Sequence, residues 1–273
     1  MTTRTATARK ANAHKKPTGY VVYKGKSLID GKPIVVVVIV NSGNSKTGNM
    51  VHTYILRDGE KSPLDVVRDL DDVSICGDCK HRRGTGGSCY VNIGQGVMQV
   101  WKAYKNGNYP KAHPAEVGKL IKDRQVRLGT YGDPMAVPSW VWMDLVSCAD
   151  GHTGYTHQWD PDSNIVKHIN IMHPDQYEDI RALCMASVDN EDEWWFATYN
   201  NWRTFRVRGT DDGLNAGEFV CPASEEAGKR RTCATCMACN GAGEGDSKLA
   251  KASPVIIVHG SLKSRFAASV SLV

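Results

Sequence analysis

Seven of the nine cysteines in this 273-residue chain fall into two short runs. "CPASEEAGKRRTCATCMACNG" (221–241) holds Cys221, Cys233, Cys236 and Cys239, the last three spaced C-x2-C-x2-C. "CGDCKHRRGTGGSC" (76–89) holds Cys76, Cys79 and Cys89, spaced C-x2-C-x9-C. Nothing resembling a secretory signal precedes them, and a body of this size builds its own core, so a disulfide framework is not expected and clustered thiols point to metal. Zinc sites usually take one C-x2-C knuckle from each of two segments. Two overlapping C-x2-C spacings with a remote cysteine before a proline, here Cys221-Pro222, match the arrangement that ligates a [4Fe–4S] cluster. The four-cysteine group is therefore read as a [4Fe–4S] site, with zinc as the alternative. The three-cysteine group fits a cluster with one iron open to an outside ligand, a zinc site completed by His81, or half of a zinc ribbon shared with the later cysteines.

Both runs carry cations: Lys80, Arg82 and Arg83 in one, Lys229, Arg230 and Arg231 in the other. They either offset thiolate charge or hold an anionic substrate or cofactor beside the metal. Cys148 and Cys184 have no partner spacing and are read as core.

These loops need a frame. "IVVVVIV" (34–40), bounded by Pro33 and Asn41-Ser42-Gly43, is a buried strand, and no apolar run reaches the 18 residues of a membrane span. Beyond residue 120, short apolar segments alternate with helical ones, which predicts parallel strands. Each strand begins apolar and ends polar, at Gly132-Asp133, His157-Gln158, Asp189, Arg206-Val207-Arg208, Cys221-Pro222 and His259-Gly260. Polar residues gathered at the carboxyl ends of parallel strands are how a βα barrel builds its site. The expected fold is α/β, a full or partial TIM-like βα barrel spanning 18–273. Asp133, His157 and Asp189 are its candidate catalytic residues, and Gly132, Arg206 and Arg208 its candidate cofactor-binding residues. Gln158 and His259 are expected to line the same pocket. No G-x-G-x-x-G follows a strand, which argues against a dinucleotide-binding sheet.

Lys and Arg exceed Asp and Glu by five, and the first 16 residues contain five basic and no acidic residues. The body is thus balanced, and residues 1–17 read as a disordered basic tail that offers a contact to nucleic acid. The reduced thiols suit the cytoplasm, that of a bacterial host if the chain is phage-encoded.

Taken in order, "KTGNMVHTYIL", "CGDCKHR…CYVNIGQG…VWKAY", "GTYGDPMAVP", "GYTHQW", "MASVD", "WRTFRVR" and "VCPAS…TCATCMACNG" resemble a family of uncharacterised cysteine-rich proteins from bacteriophages and mobile elements. That likeness implies kinship and no mechanism. The layout more loosely resembles radical S-adenosylmethionine enzymes, which place a three-cysteine [4Fe–4S] motif after the first barrel strand and a Gly-rich acidic motif after the next. Cys76, Cys79 and Cys89 follow "VHTYIL", and Gly132-Asp133 follow "VRLGTYG". The resemblance implies S-adenosylmethionine as a cofactor, although that superfamily's usual spacing is C-x3-C-x2-C. The alternative reading is a zinc-stabilised phage protein that binds nucleic acid or a host protein without catalysis. Trp101, Tyr104, Trp140, Trp142, Trp194, Trp195 and Trp202 would then stack bases, although their helical spacing suits a core.

Overall fold

The computed structural model describes residues 17–209, 213–242 and 252–270, so the basic tail lies outside the described residues apart from Pro17. Among the described residues, ten strands form two five-stranded sheets. The first contains β1 (Gly19–Lys26), β2 (Pro33–Ile39), β3 (Val51–Arg57), β4 (Gln125–Tyr131) and β5 (Gly151–Thr153), paired in that order. The second contains β6 (Tyr155–Thr156), β7 (Met185–Val188), β8 (Thr204–Arg208), β9 (Glu218–Val220) and β10 (Ser253–Ile257), with β10 inserted between β8 and β9.

β1, β2 and β3 form an antiparallel meander, whose β2 is the apolar 34–40 run. From β3 onward every neighbour is parallel. Only Gly154 separates β5 from β6, and its carbonyl accepts a bond from Met185 N, so the segment 151–156 serves both sheets. A Cβ at Gly154 would lie 2.5 Å from Cys184 Sγ, which explains glycine at this joint. The expected parallel neighbours are present, but β1 and β9 remain the outer edges and the described strands close no ring.

The helices fill the crossovers. The first four are α1 (Pro63–Arg68), α2 (Val73–Cys76), α3 (Met98–Lys105) and α4 (Pro114–Leu120), which lie between β3 and β4. α5 (Ser139–Val146) links β4 to β5, and α6 (Asn164–Met172) and α7 (Gln176–Leu183) link β6 to β7. α8 (Glu191–Tyr199) links β7 to β8, α9 (Cys233–Cys236) precedes β10, and α10 (Phe266–Val270) follows it. No helix among the described residues is long and apolar enough to cross a membrane. One continuous core runs from Ile34–Val38 through Val126, Leu128 and Trp142 to Ile180 and Ala186. A separate small cluster, Cys221, Ala223 and Ile256, sits under the last cysteine loop. Trp142 and Trp202 belong to the main core, as their spacing suggested, whereas Trp140 and Trp195 are exposed. Cys184 is buried as expected, but Cys148 is exposed because α5 stops at Val146 and leaves it on the following turn.

Candidate metal and reaction chamber at the strand ends

Residues 58–124, between β3 and β4, carry the first cysteine loop over the carboxyl end of the sheet. α2 delivers Cys76, and Gln158 Nε2 reaches the Cys76 carbonyl at 3.4 Å. Asp133 N bonds the Ile75 carbonyl at 2.6 Å, tying the same loop to the end of β4. The loop closes where Cys89 N meets the His81 carbonyl at 2.9 Å. Gly87 lies against that backbone, with 2.3 Å from a would-be Cβ to the His81 carbonyl carbon, so a side chain there would force the loop open.

The second loop is tethered from both halves of the chain. Thr232 caps α9, and the Cys233 and Ala234 amides bond the Lys46 and Thr47 carbonyls of the β2–β3 loop at 3.2 and 3.1 Å. Gly154 N bonds the Cys239 carbonyl at 3.1 Å. Arg203 holds the far side, with its guanidinium bonding the carbonyls of Ala238, Gly241 and Ala252 and Asn240 Oδ1 at 2.8–2.9 Å.

All seven cysteines line one cavity of about 440 Å³ at the carboxyl ends of the parallel strands. Gly132, Asp133, His157, Asp189 and His259 line it too. The thiols keep to their two sequence groups. Burial pushes Cys76 far up, and Cys79 and Cys89 push it further. Burial pushes Cys239 up to about 12, with Cys221 and Cys233 adding to it. None of the seven is in a disulfide. Among the described residues, no three Cys, His, Asp or Glu side chains converge on one point as a single ion would need.

Beside the first group, the acidic candidates have distinct roles. Asp133 accepts three hydrogen bonds, from Thr156 Oγ1 (2.7 Å), His157 N (2.7 Å) and Met135 N (3.0 Å). Burial nevertheless raises it to about 6. Its geometry is that of a brace joining the loops after β4 and β6. Asp189 Oδ2 receives His81 Nε2 at 2.5 Å and Lys80 Nζ at 3.1 Å, while its buried Oδ1 has no partner. Burial would raise Asp189, but His81, Lys80 and His157 together hold it below the usual carboxylate range. His81 also bonds Ser88 Oγ at 2.7 Å through Nδ1. Both ring nitrogens are thus engaged, one with Ser88 and the other with Asp189. His157 packs edge-on against His81, and burial, then the His81 charge, lowers it to about 4.

Arg206, Arg208 and Gln158 do not line the cavity. Side chains alternate across a strand, and on β8 it is Phe205 and Val207 that face inward. Arg206 lies on the opposite face in a bidentate pair with the buried Glu218, at 2.8 and 2.6 Å. The cations in the cysteine runs also turn away from the cavity. Lys80 pairs with Asp189 and Glu193, Arg82 with Asp72, and Lys229 with the exposed Glu225. The cations that do face the cavity are Lys46 and Arg127. In "QVRLGTY", Val126 and Leu128 are buried, so alternation puts Arg127 on the opposite face, while no comparable pattern marks Lys46.

A scan against family models and searches of characterised sequences and of solved structures returned no match to this chain.

The buried imidazoles predict an acid sensitivity. His52, 1% exposed and bonded to Thr47 Oγ1 at 2.9 Å, is lowered to about 4, first by burial and then by Arg127. A base with a depressed folded-state pKa contributes stability that is present above pH 6.5 and lost as the pH falls towards 4, here about 3 kcal/mol. Asp133 has the opposite sign, contributing stability at low pH that is lost as the pH rises through 6. The expected result is therefore a difference between proteins: His52→Gln should flatten the acid limb of the unfolding free energy measured in urea from pH 7 to 4. An acid limb identical to the wild type's would refute the assignment.

Proposed function

We propose that this chain is an iron–sulfur enzyme whose reaction chamber is the cavity at the carboxyl ends of its parallel strands, in an open, partial βα barrel. The observation that carries the proposal is that two cysteine groups far apart in sequence line one cavity, each with its own members in mutual electrostatic contact and none in a disulfide. Cys76, Cys79, Cys89, Cys221 and Cys239 are raised first by burial, so these thiols ionise readily only against a cation, which suits metal binding.

In this reading Cys221, Cys233, Cys236 and Cys239 hold a fully ligated [4Fe–4S] cluster, and Cys76, Cys79 and Cys89 hold a second. The second, with three protein ligands, would supply low-potential electrons and one iron open to a substrate or to the amine and carboxylate of S-adenosylmethionine. The chain's own groups bind and orient. Asp189, ionised and fixed by His81 and Lys80, offers Oδ1 to an N–H or O–H of the substrate. His157, neutral near pH 7, offers a ring nitrogen as proton acceptor. Asp133 keeps the two strand-end loops in register and, through Ile75, the first cysteine loop over the chamber. The substrate is small and anionic or nucleotide-like, and the likeness to phage-encoded proteins and to radical S-adenosylmethionine enzymes belongs to this reading, as does a reducing, cytoplasmic setting.

Purification without oxygen tests it. The protein should be brown, with broad visible absorption and about eight irons and eight sulfides per chain. A colourless protein with stoichiometric zinc would refute the enzyme and leave a zinc-stabilised binding protein.

A further inference from the structure

We infer that the half of the cavity next to the second cysteine group is an oxyanion-binding subsite built from Arg127, Lys46 and Thr153, and that it takes a small ligand whose carboxylate or phosphate is attached to an apolar or planar body. The inference rests on reading the cavity as a reaction chamber, but on no particular metal.

Arg127 and Lys46 are set apart from the other cations near the cavity. Lys80, Arg82 and Arg206 are spent on carboxylates. Neither Arg127 nor Lys46 forms an ion pair with a carboxylate among the described residues, and both line the cavity. Arg127 uses one N–H, from Nη2 to Tyr90 Oη at 2.9 Å, of the five a guanidinium carries. Lys46 Nζ touches His259 Nε2 at 3.1 Å.

The second, independent observation is Thr153. It is 1% exposed, lines the same cavity, and its Oγ1 has no partner. A buried hydroxyl without a partner is costly, so such a group signals a missing acceptor or donor. Thr153 is the register partner of Arg127 across the parallel β4–β5 pair, which places both side chains on the same face. A guanidinium and a hydroxyl on neighbouring strands form a fork that matches a carboxylate or phosphate. The walls are aromatic: Tyr155 lies 5.0 Å beneath the Arg127 guanidinium, and Tyr90 and His259 form a ring pair 5.6 Å apart. They suit the flat or apolar remainder of the ligand.

The test uses the full chain as purified anaerobically, with iron and zinc measured in every sample. Phenyl phosphate, benzoate and neutral benzamide are titrated calorimetrically at constant ionic strength. At least one of the two anions should bind with a Kd on the order of 1 mM or tighter, and benzamide should not; the tighter anion distinguishes a phosphate from a carboxylate ligand. Arg127→Gln and Lys46→Met should each weaken that binding about tenfold, and Thr153→Val should weaken it measurably. Lys46 lies on a loop and Thr153→Val conserves shape, so those variants carry the test if Arg127→Gln fails to fold. Absence of anion binding above the benzamide control, or binding unchanged in Lys46→Met and Thr153→Val, would overturn the inference. Anion binding by a colourless zinc protein would uphold the subsite while refuting the iron–sulfur reading.

Discussion

Arg203→Met should lower the unfolding free energy by about 4 kcal/mol and release the second cysteine loop. Arg203 is 5% exposed and spans the gap between the start of β8 and the chain on both sides of the last cysteine. Its Nη1 and Nη2 bond four acceptors, three of them backbone carbonyls at 238, 241 and 252. Removing the guanidinium leaves the buried Gly241 carbonyl and the partly buried Ala238 and Ala252 carbonyls without that donor, and hydrogen bonds from a charged group contribute about 1.5–3 kcal/mol each. Arg203→Lys should be intermediate, because an ammonium cannot reach four acceptors with the geometry of a planar fork. The measurement is urea unfolding with metal analysis of the same samples. A loss below about 1 kcal/mol, with full metal retained, would show that the loop is held by other contacts.

Cys239→Ser and Cys76→Ser should behave differently, although on the proposed iron–sulfur reading each removes one metal ligand. Besides its polar tethers, the second loop has only a small apolar cluster beneath it, Cys221, Ala223 and Ile256. Its fold should therefore be coupled to metal, and Cys239→Ser should cost several kcal/mol, expose the C-terminal segment to proteolysis and lose that cluster. The first loop is anchored independently: Cys76 packs on the main core, Asp133 N bonds Ile75, Lys80 pairs with Asp189, and Arg83 Nε bonds the Cys89 carbonyl at 3.1 Å. Cys76→Ser should leave the fold intact while lowering iron by about four per chain. Equal stability loss in the two variants, or an unchanged iron content in Cys76→Ser, would refute the assignment of two separate clusters.

Much of this arrangement was legible in the sequence, because local chemistry wrote it. Cysteine spacing defines which thiols belong together, since a tight loop fixes the reach of its own side chains. The apolar-then-polar course of each strand identified Asp133, His157, Asp189 and His259 as cavity residues, because a parallel sheet buries its strands and exposes their carboxyl ends. What the sequence could not decide is the face each residue takes and the partner it meets. Arg206 and Arg208 carry the same charge as Arg127, but one step of strand register sends Arg206 to Glu218 and Arg127 into the cavity. His81 stands between two cysteines and is one candidate to complete a zinc site, and only the fold shows that Asp189 and Ser88 lie at its two nitrogens. Lys46 opens the "KTGNM" stretch, whose spacing assigns it no role, and only the docking of that loop against α9 brings it to the cavity. These are long-range encounters, set by how two sheets share the strand around Gly154, and no spacing along the chain encodes them.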